Sequence, residues 1–180
     1  MMNHWQSTST TSRLRQMTLL RATLFALAFS IPAYSIAAQE SGIAVGSRAP
    51  GAKVQTLDGK TVDLSAYIGK SPVLIEFWAF WCPSCKELEP KFLSLQKKYG
   101  SKVTFLGVAV SVSQSRDRVK AYTARHKYRH ETFFDADGKA TEAYDVPATS
   151  YVVVIDAKGN VVYTGLGGKQ DLEAAIRKAF

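Results

Sequence analysis

Hydrophobic and polar positions change period several times along this chain. Val54-Gln55-Thr56-Leu57 and Thr61-Val62-Asp63-Leu64 flank Asp58-Gly59, which predicts a short β-hairpin with Asp-Gly as its turn. Ser71-Pro72 then opens Val73-Leu74-Ile75-Glu76-Phe77-Trp78, a nearly continuous apolar run suited to a strand buried on both faces. Beyond Cys82 the spacing lengthens. Leu88, Phe92, Leu93, Leu95 and Tyr99 recur as on a helix that ends at Gly100, with Pro90 inside it expected to kink it. The pattern predicts a second buried strand over Val103–Val112, a second helix over Val119–His126 and a short third one ending at Glu142-Ala143-Tyr144. Tyr151–Ile155 and Val161–Tyr163, joined by Asp156-Ala157-Lys158-Gly159-Asn160, read as a closing hairpin, and Asp171–Phe180 as a final amphipathic helix. Strands alternating with helices, then a hairpin and a helix, give an α/β class with a mixed sheet flanked by helices and an N-terminal β-hairpin extension.

The first residues suggest where the domain works. Met1 to Arg21 hold Arg13, Arg15 and Arg21 and no acid, and an apolar stretch follows from Ala22 to Ala38. Residues 1–37 read as a secretory signal with Ser35-Ile36-Ala37 as the cleavage motif, and Met17 offers an alternative start that makes a compact basic leader. An uncleaved anchor is the competing reading. At about 17 residues the stretch sits at the lower edge of a membrane span, and Pro32 interrupts it, which favours cleavage. No cysteine follows closely, so a lipid anchor has no acceptor. Residues 38–180 then form one domain with room for a sizeable core. The formal charge is +8, and three arginines sit in the signal. What remains is concentrated at Lys97-Lys98 and over Arg116–Arg129, with acids interspersed elsewhere and no arginine-rich arm or aromatic RNA-binding motif, so a solvated face is read rather than a nucleic-acid site.

The candidate chemistry lies in the only two cysteines, Cys82 and Cys85, spaced C-x-x-C where the apolar run turns into a helix. A rigid strand would hold the pair, and the unpaired N–H groups and partial positive charge of the helix N-terminus favour a thiolate on Cys82. Two other uses stay open beside redox chemistry. A zinc site wants four ligands; His126 and His130 have H-x₃-H spacing, but they begin about 40 residues beyond Cys85, well past zinc-finger spacing. A structural disulfide closing so short a loop would constrain the unfolded chain very little.

Phe77-Trp78-Ala79-Phe80-Trp81-Cys82-Pro83-Ser84-Cys85, with Glu76 before it and Pro90 after it, resembles thioredoxin-fold oxidoreductases. Ala49-Pro50-Gly51, Leu57-Asp58-Gly59-Lys60 and the segment from Thr132 to Lys158 resemble their extracytoplasmic branch, the TlpA/ResA-type thiol-disulfide proteins. The resemblance implies a thioredoxin-like sheet with helices on both faces. It implies that Cys82, at the exposed helix end, is the nucleophile, that buried Cys85 resolves the mixed disulfide, and that Glu76 accepts the Cys85 proton. The plainer reading of Glu76 is a strand carboxylate reaching solvent. Trp78 is read as core, Trp81 and Pro83 as surface that meets the partner, Lys86 as a solvated helix residue, and His126 and His130 as surface residues.

One departure stands out. The family's cis-proline falls by count on Ser150, preceded by Thr149, while Pro147 lies three residues early. Thr149 and Ser150 are thus the expected substrate-facing loop, with a trans bond between them. The resemblance further implies no cofactor beyond a Cys82–Cys85 disulfide, partner proteins bearing thiols or disulfides, recharging by a membrane electron carrier, a monomer in the periplasm or another extracytoplasmic compartment, and net reduction. Disulfide oxidation or isomerisation, or a non-catalytic module that holds a soft metal such as Cu(I), are the alternatives.

Overall fold

The computed structural model describes residues 41–180, so the expected signal over 1–37 lies outside the described residues. Among the described residues no helix is long and apolar enough to cross a membrane. Seven strands build one sheet: β1 (Lys53–Thr56), β2 (Thr61–Asp63), β3 (Val73–Trp78), β4 (Thr104–Val110), β5 (Glu131–Asp135), β6 (Tyr151–Ile155) and β7 (Val161–Leu166). Their spatial order is β2-β1-β5-β4-β3-β6-β7. β3 is the axis, parallel to β4 and antiparallel to β6, and all six of its residues are buried, as a run with no polar alternation requires.

Four helices connect the strands: α1 (Pro83–Tyr99), α2 (Arg116–Arg125), α3 (Lys139–Ala143) and α4 (Leu172–Arg177). The chain steps from β3 to β4 to β5 in one direction through α1 and α2, and right-handed crossovers put both helices on the same face. Alternate β3 residues record this. Leu74 packs with Leu88 and Phe92 of α1 and Leu172 and Ile176 of α4, and Trp78 packs with Val119 of α2. Val73, Ile75 and Phe77 point the other way, into a core closed by Ala140 of α3, Tyr144 and Leu64, the last in a 3₁₀ turn at Leu64–Tyr67.

The structure departs from the pattern in identifiable places. β5 is not evident from periodicity: Glu131 and Asp135 bracket only Thr132, Phe133 and Phe134, and it becomes a strand by pairing with β4 on one side and β1 on the other. Through that β1 contact the hairpin extension becomes the edge of the main sheet. α2 starts three residues before Val119, because the Ser115 side chain caps it by accepting from Arg118 N–H. β7 runs to Leu166, three residues past the expected end, since Thr164, Gly165 and Leu166 continue the ladder with Val153, Val152 and Tyr151. α1 continues through Pro90, which sits on the exposed side, where water can serve the carbonyl that loses its N–H partner.

Candidate active site

At the end of β3 the chain turns through Ala79–Cys82, closed by Cys82 N–H donating to the Ala79 carbonyl at 3.1 Å. Cys82 is the N-cap of α1 and Pro83 its first residue. Pro83 has no N–H to leave unpaired there, which suits the position. Cys82 Sγ accepts from Cys85 N–H at 3.2 Å, so the sulfur occupies the place a capping oxygen would take, at the positive end of a 17-residue helix. Both thiols are unbridged.

One segment, from the end of β4 to the start of α2, fastens this turn. Gln114 accepts from Phe80 N–H at 3.1 Å and donates to the Val110 carbonyl at 2.6 Å, while Trp81 Nε1 donates to the Val112 carbonyl at 3.0 Å. The segment following β4 therefore clamps the residues preceding Cys82. Cys82 is 3% exposed and Cys85 4%. The expectation of an openly exposed Cys82 is corrected by this: both cysteines are buried in one cluster with Trp78, Ala79, Val110 and Phe134.

Glu76 lies two residues before the end of β3, is 8% exposed, and leaves Oε1 buried without a partner. It does not reach solvent as an ordinary strand carboxylate would. Burial, reinforced by the Glu89 charge, pushes it up from 4.5 to about 8. Burial also pushes the Cys85 thiol up, followed by its hydrogen bond with Cys82; the Glu76 charge acts in the same direction. An acid held near neutrality and a thiol reluctant to ionise thus sit within each other's field.

Glu89 is the residue that sequence reasoning misses. It lies one helical turn below Cys85, and that i+4 relation is the signal that could have found it. Its oxygens accept from Tyr122 Oη at 3.2 Å and meet His126 Nδ1 at 3.0 Å, and His126 stacks on Tyr122 with ring centroids 3.9 Å apart. His130 is not a surface residue as expected. Its ring sits 4.7 Å from those of Phe92 and Tyr128, and burial lowers its pKa to about 4. His126 and His130 therefore have different surroundings and form no H-x₃-H ligand pair with the thiols; among the described residues no group of three or more His, Cys, Asp or Glu side chains is arranged to hold a metal.

Beside Trp81 opens a groove of about 690 Å³, lined also by Val110, Val112, Val146, Ala148 and Thr149 among others. Trp81 is 40% exposed, Pro83 is exposed, and Thr149 is half-buried in the groove wall. Ser150 is different: it is fully buried, which corrects its expected place on the substrate-facing surface. Its N–H donates to the Phe77 carbonyl at 2.8 Å, and its carbonyl accepts from Gly167 N–H and Gln170 Nε2, each at 3.0 Å. Those bonds use its backbone to join the ends of β3, β6 and β7, leaving Thr149 as the residue that faces outward. The described residues contain no cis peptide bond, and Ser150 has φ = 67°. A serine in that left-handed region with a buried, unpartnered hydroxyl is costly. Ser150→Gly should therefore raise stability by about 1 kcal/mol, whereas Ser150→Pro, which loses the N–H and cannot adopt this φ, should cost about 3 kcal/mol. Urea unfolding of the three proteins measures both, and a Ser150→Pro protein as stable as its parent would refute the local geometry.

A match to the Redoxin family covers residues 44–178. The chain is 31% identical over 144 residues to the thiol-disulfide oxidoreductase ResA of Bacillus subtilis, spanning 80% of this chain and 79% of that protein. The chain belongs to the Redoxin family, within its TlpA/ResA-type branch. It is a thioredoxin-fold thiol-disulfide oxidoreductase. The thioredoxin-like protein YneN of the same organism is 30% identical over 141 residues, covering 77% of this chain and 82% of the relative. A thioredoxin-family thiol:disulfide interchange protein of Chlorobium tepidum superposes with a TM-score of 0.64 at 27% identity, covering 76% of this chain and 97% of the other. The fold of this Redoxin chain is thus that of its relatives.

Proposed function

We propose that this oxidoreductase acts outside the cytoplasm as a reductant of partner-protein disulfides, with Cys82 as nucleophile, Cys85 as resolving thiol and Glu76 as base. The Cys82 thiolate attacks one sulfur of the substrate disulfide, forming a mixed disulfide and releasing the other as thiolate. Cys85 gives its proton to Glu76 and attacks Cys82 Sγ. The Cys82–Cys85 disulfide forms, the second substrate thiolate leaves, and two electrons have passed to the substrate. A donor dithiol, supplied by a membrane electron carrier, restores the pair. The domain needs no further cofactor in this scheme and works as a monomer, exported by residues 1–37. Trp81, Pro83 and Thr149 form the contact surface for the substrate.

The observation that carries the direction is the acid pair behind the thiols. Strong oxidants of this class stabilise their reduced form through the thiolate. Here burial and the Glu76 charge disfavour the Cys85 thiolate, and the hydrogen bond that Cys82 Sγ accepts comes from a backbone N–H and not from a cationic side chain. The dithiol is thereby made the readier donor. Equilibrating the purified domain with glutathione buffers should give a reduction potential below about −220 mV, nearer thioredoxin than a periplasmic oxidant. A value near about −120 mV would reverse the assignment. Metal assayed in the same sample distinguishes a soft-metal module, which would carry Cu(I) and exchange slowly.

A further inference from the structure

Behind the thiol pair, three adjacent strands set Glu76, Gly107 and Thr132 side by side: Glu76 is in register with Gly107, and Gly107 with Thr132. In-register residues of parallel strands face the same side of the sheet, so the glycine puts no side chain between two polar ones and lets Trp78 and His130 approach its backbone closely. A Cβ at Gly107 would meet Trp78 Nε1 at 2.9 Å and His130 Nε2 at 3.1 Å. Four buried polar atoms on these residues have no protein partner: Glu76 Oε1, Trp78 Nε1, His130 Nδ1 and Thr132 Oγ1. Leaving each unbonded costs about 1–3 kcal/mol, and a small space bordered by several donors and acceptors is where a protein holds ordered water.

The same residues reach the surface. His130 and Thr132 line a depression of about 260 Å³ together with Leu57, Asp58, Lys120 and Tyr128. It shares no lining residue with the groove beside Trp81. That separation matters during the resolving step. A partner joined to Cys82 covers the groove side, Cys82 is already only 3% exposed, and the proton passed from Cys85 to Glu76 needs another way out.

We propose that His130 and Thr132 hold a water chain over Gly107 that carries the Cys85 proton from Glu76 to solvent at the Asp58–Lys120 depression. The proposal rests on the Cys82, Cys85 and Glu76 roles given above. Only a proton moves: the Cys85 S–H bond breaks, Glu76 is protonated and then loses that proton to the first water, and one leaves from the far end to bulk. The imidazole takes a hydrogen on one nitrogen as it yields one from the other, and is neutral before and after. Its low pKa fits a neutral relay. The charged and titratable groups around the path are Glu76 from β3, Cys85 and Glu89 from α1, Lys120 from α2, Tyr128 from the α2–β5 loop and Asp58 from the hairpin turn. His130 is thus a positioning residue that acts through Glu76.

The test follows reduction of a protein disulfide by the dithiol protein in single turnover, separating mixed-disulfide formation from its resolution. His130→Ala should resolve about tenfold more slowly, with free imidazole restoring most of the rate through the rear depression. His130→Phe, which keeps a ring between Phe92 and Tyr128, should be equally slow and unresponsive to imidazole. Thr132→Val, nearly isosteric, should be slowed less. All three should form the mixed disulfide at the parental rate and keep the parental reduction potential, because a conduit changes rates and not equilibria. Parental resolution in His130→Phe, or a slow His130→Ala that imidazole leaves unchanged, would overturn the conduit while the thiol roles stand. If the histidine variants do not fold, Thr132→Val decides: a parental resolution rate and solvent isotope effect overturn the proposal. A parent protein with no exchange through Cys82 would instead sink the dithiol reading on which it rests.

Discussion

Cys82→Ser is expected to abolish disulfide exchange, lowering turnover by about a thousandfold or more, because a hydroxyl at this position neither ionises near neutral pH nor forms a stable bond to sulfur. The effect should be almost purely chemical. Serine is a better N-cap than cysteine and can accept the same Cys85 N–H, so α1 and the turn from Ala79 should survive. Cys85→Ser should behave differently. Cys82 still attacks, but nothing displaces the substrate, and a covalent complex accumulates that a reductant releases. Mass spectrometry of quenched mixtures reads both results. A Cys82→Ser protein that keeps most of its activity, or a Cys85→Ser protein that turns over without a trapped complex, would show the two roles assigned the wrong way round.

How far the sequence reaches depends on the range of the interaction. β3 and α1 are legible because each carries its own pattern: a six-residue run buried on both faces, then Cys85, Leu88, Phe92 and Leu95 on one helical stripe. The spacing of Cys82 and Cys85 at their junction is local too. β5 is not legible, since three of its five residues are polar and it becomes a strand only by pairing with β4 and β1. Gln114 escapes for the same reason, and so do the partners of Glu89. Gln114 meets Phe80 and Trp78 across 34 and 36 positions, and Glu89 meets Tyr122 and His126 across 33 and 37. His130 shows the limit most clearly. Between Arg129 and Glu131 it reads as surface, and what draws it inward is a missing side chain at Gly107 on the neighbouring strand. Counting from Tyr144 to Asp156 locates Ser150 directly before β6, but not the φ of 67° or the bonds to Phe77 and Gly167 that bury it.

Glu76→Gln should change both stability and mechanism, with opposite consequences. Glu76 titrates near 4.5 when exposed and at about 8 when buried. Its folded-state pKa lies above the unfolded one, so it holds more protons folded than unfolded between those values, and the fold loses stability as pH rises through that window. Below about 4.5 the carboxyl is neutral in both states and imposes no such penalty; above about 8 the penalty is complete. Each tenfold change in proton affinity is worth about 1.4 kcal/mol, so Glu76→Gln should become more stable than its parent by a few kcal/mol at pH 9, with the difference vanishing toward pH 4. Its resolving step should meanwhile slow by about a hundredfold near neutral pH, since an amide cannot take the Cys85 proton, while attack by Cys82 continues at the parental rate. In the parent the resolving rate should climb with pH and level off above about 8, where Glu76 is ionised, and that rise should be absent from the variant. Unfolding free energies and stopped-flow rates across pH 5 to 9 measure both halves. A stability difference independent of pH would show that Glu76 is not held neutral by burial, and equal resolving rates in the two proteins would remove it from proton transfer.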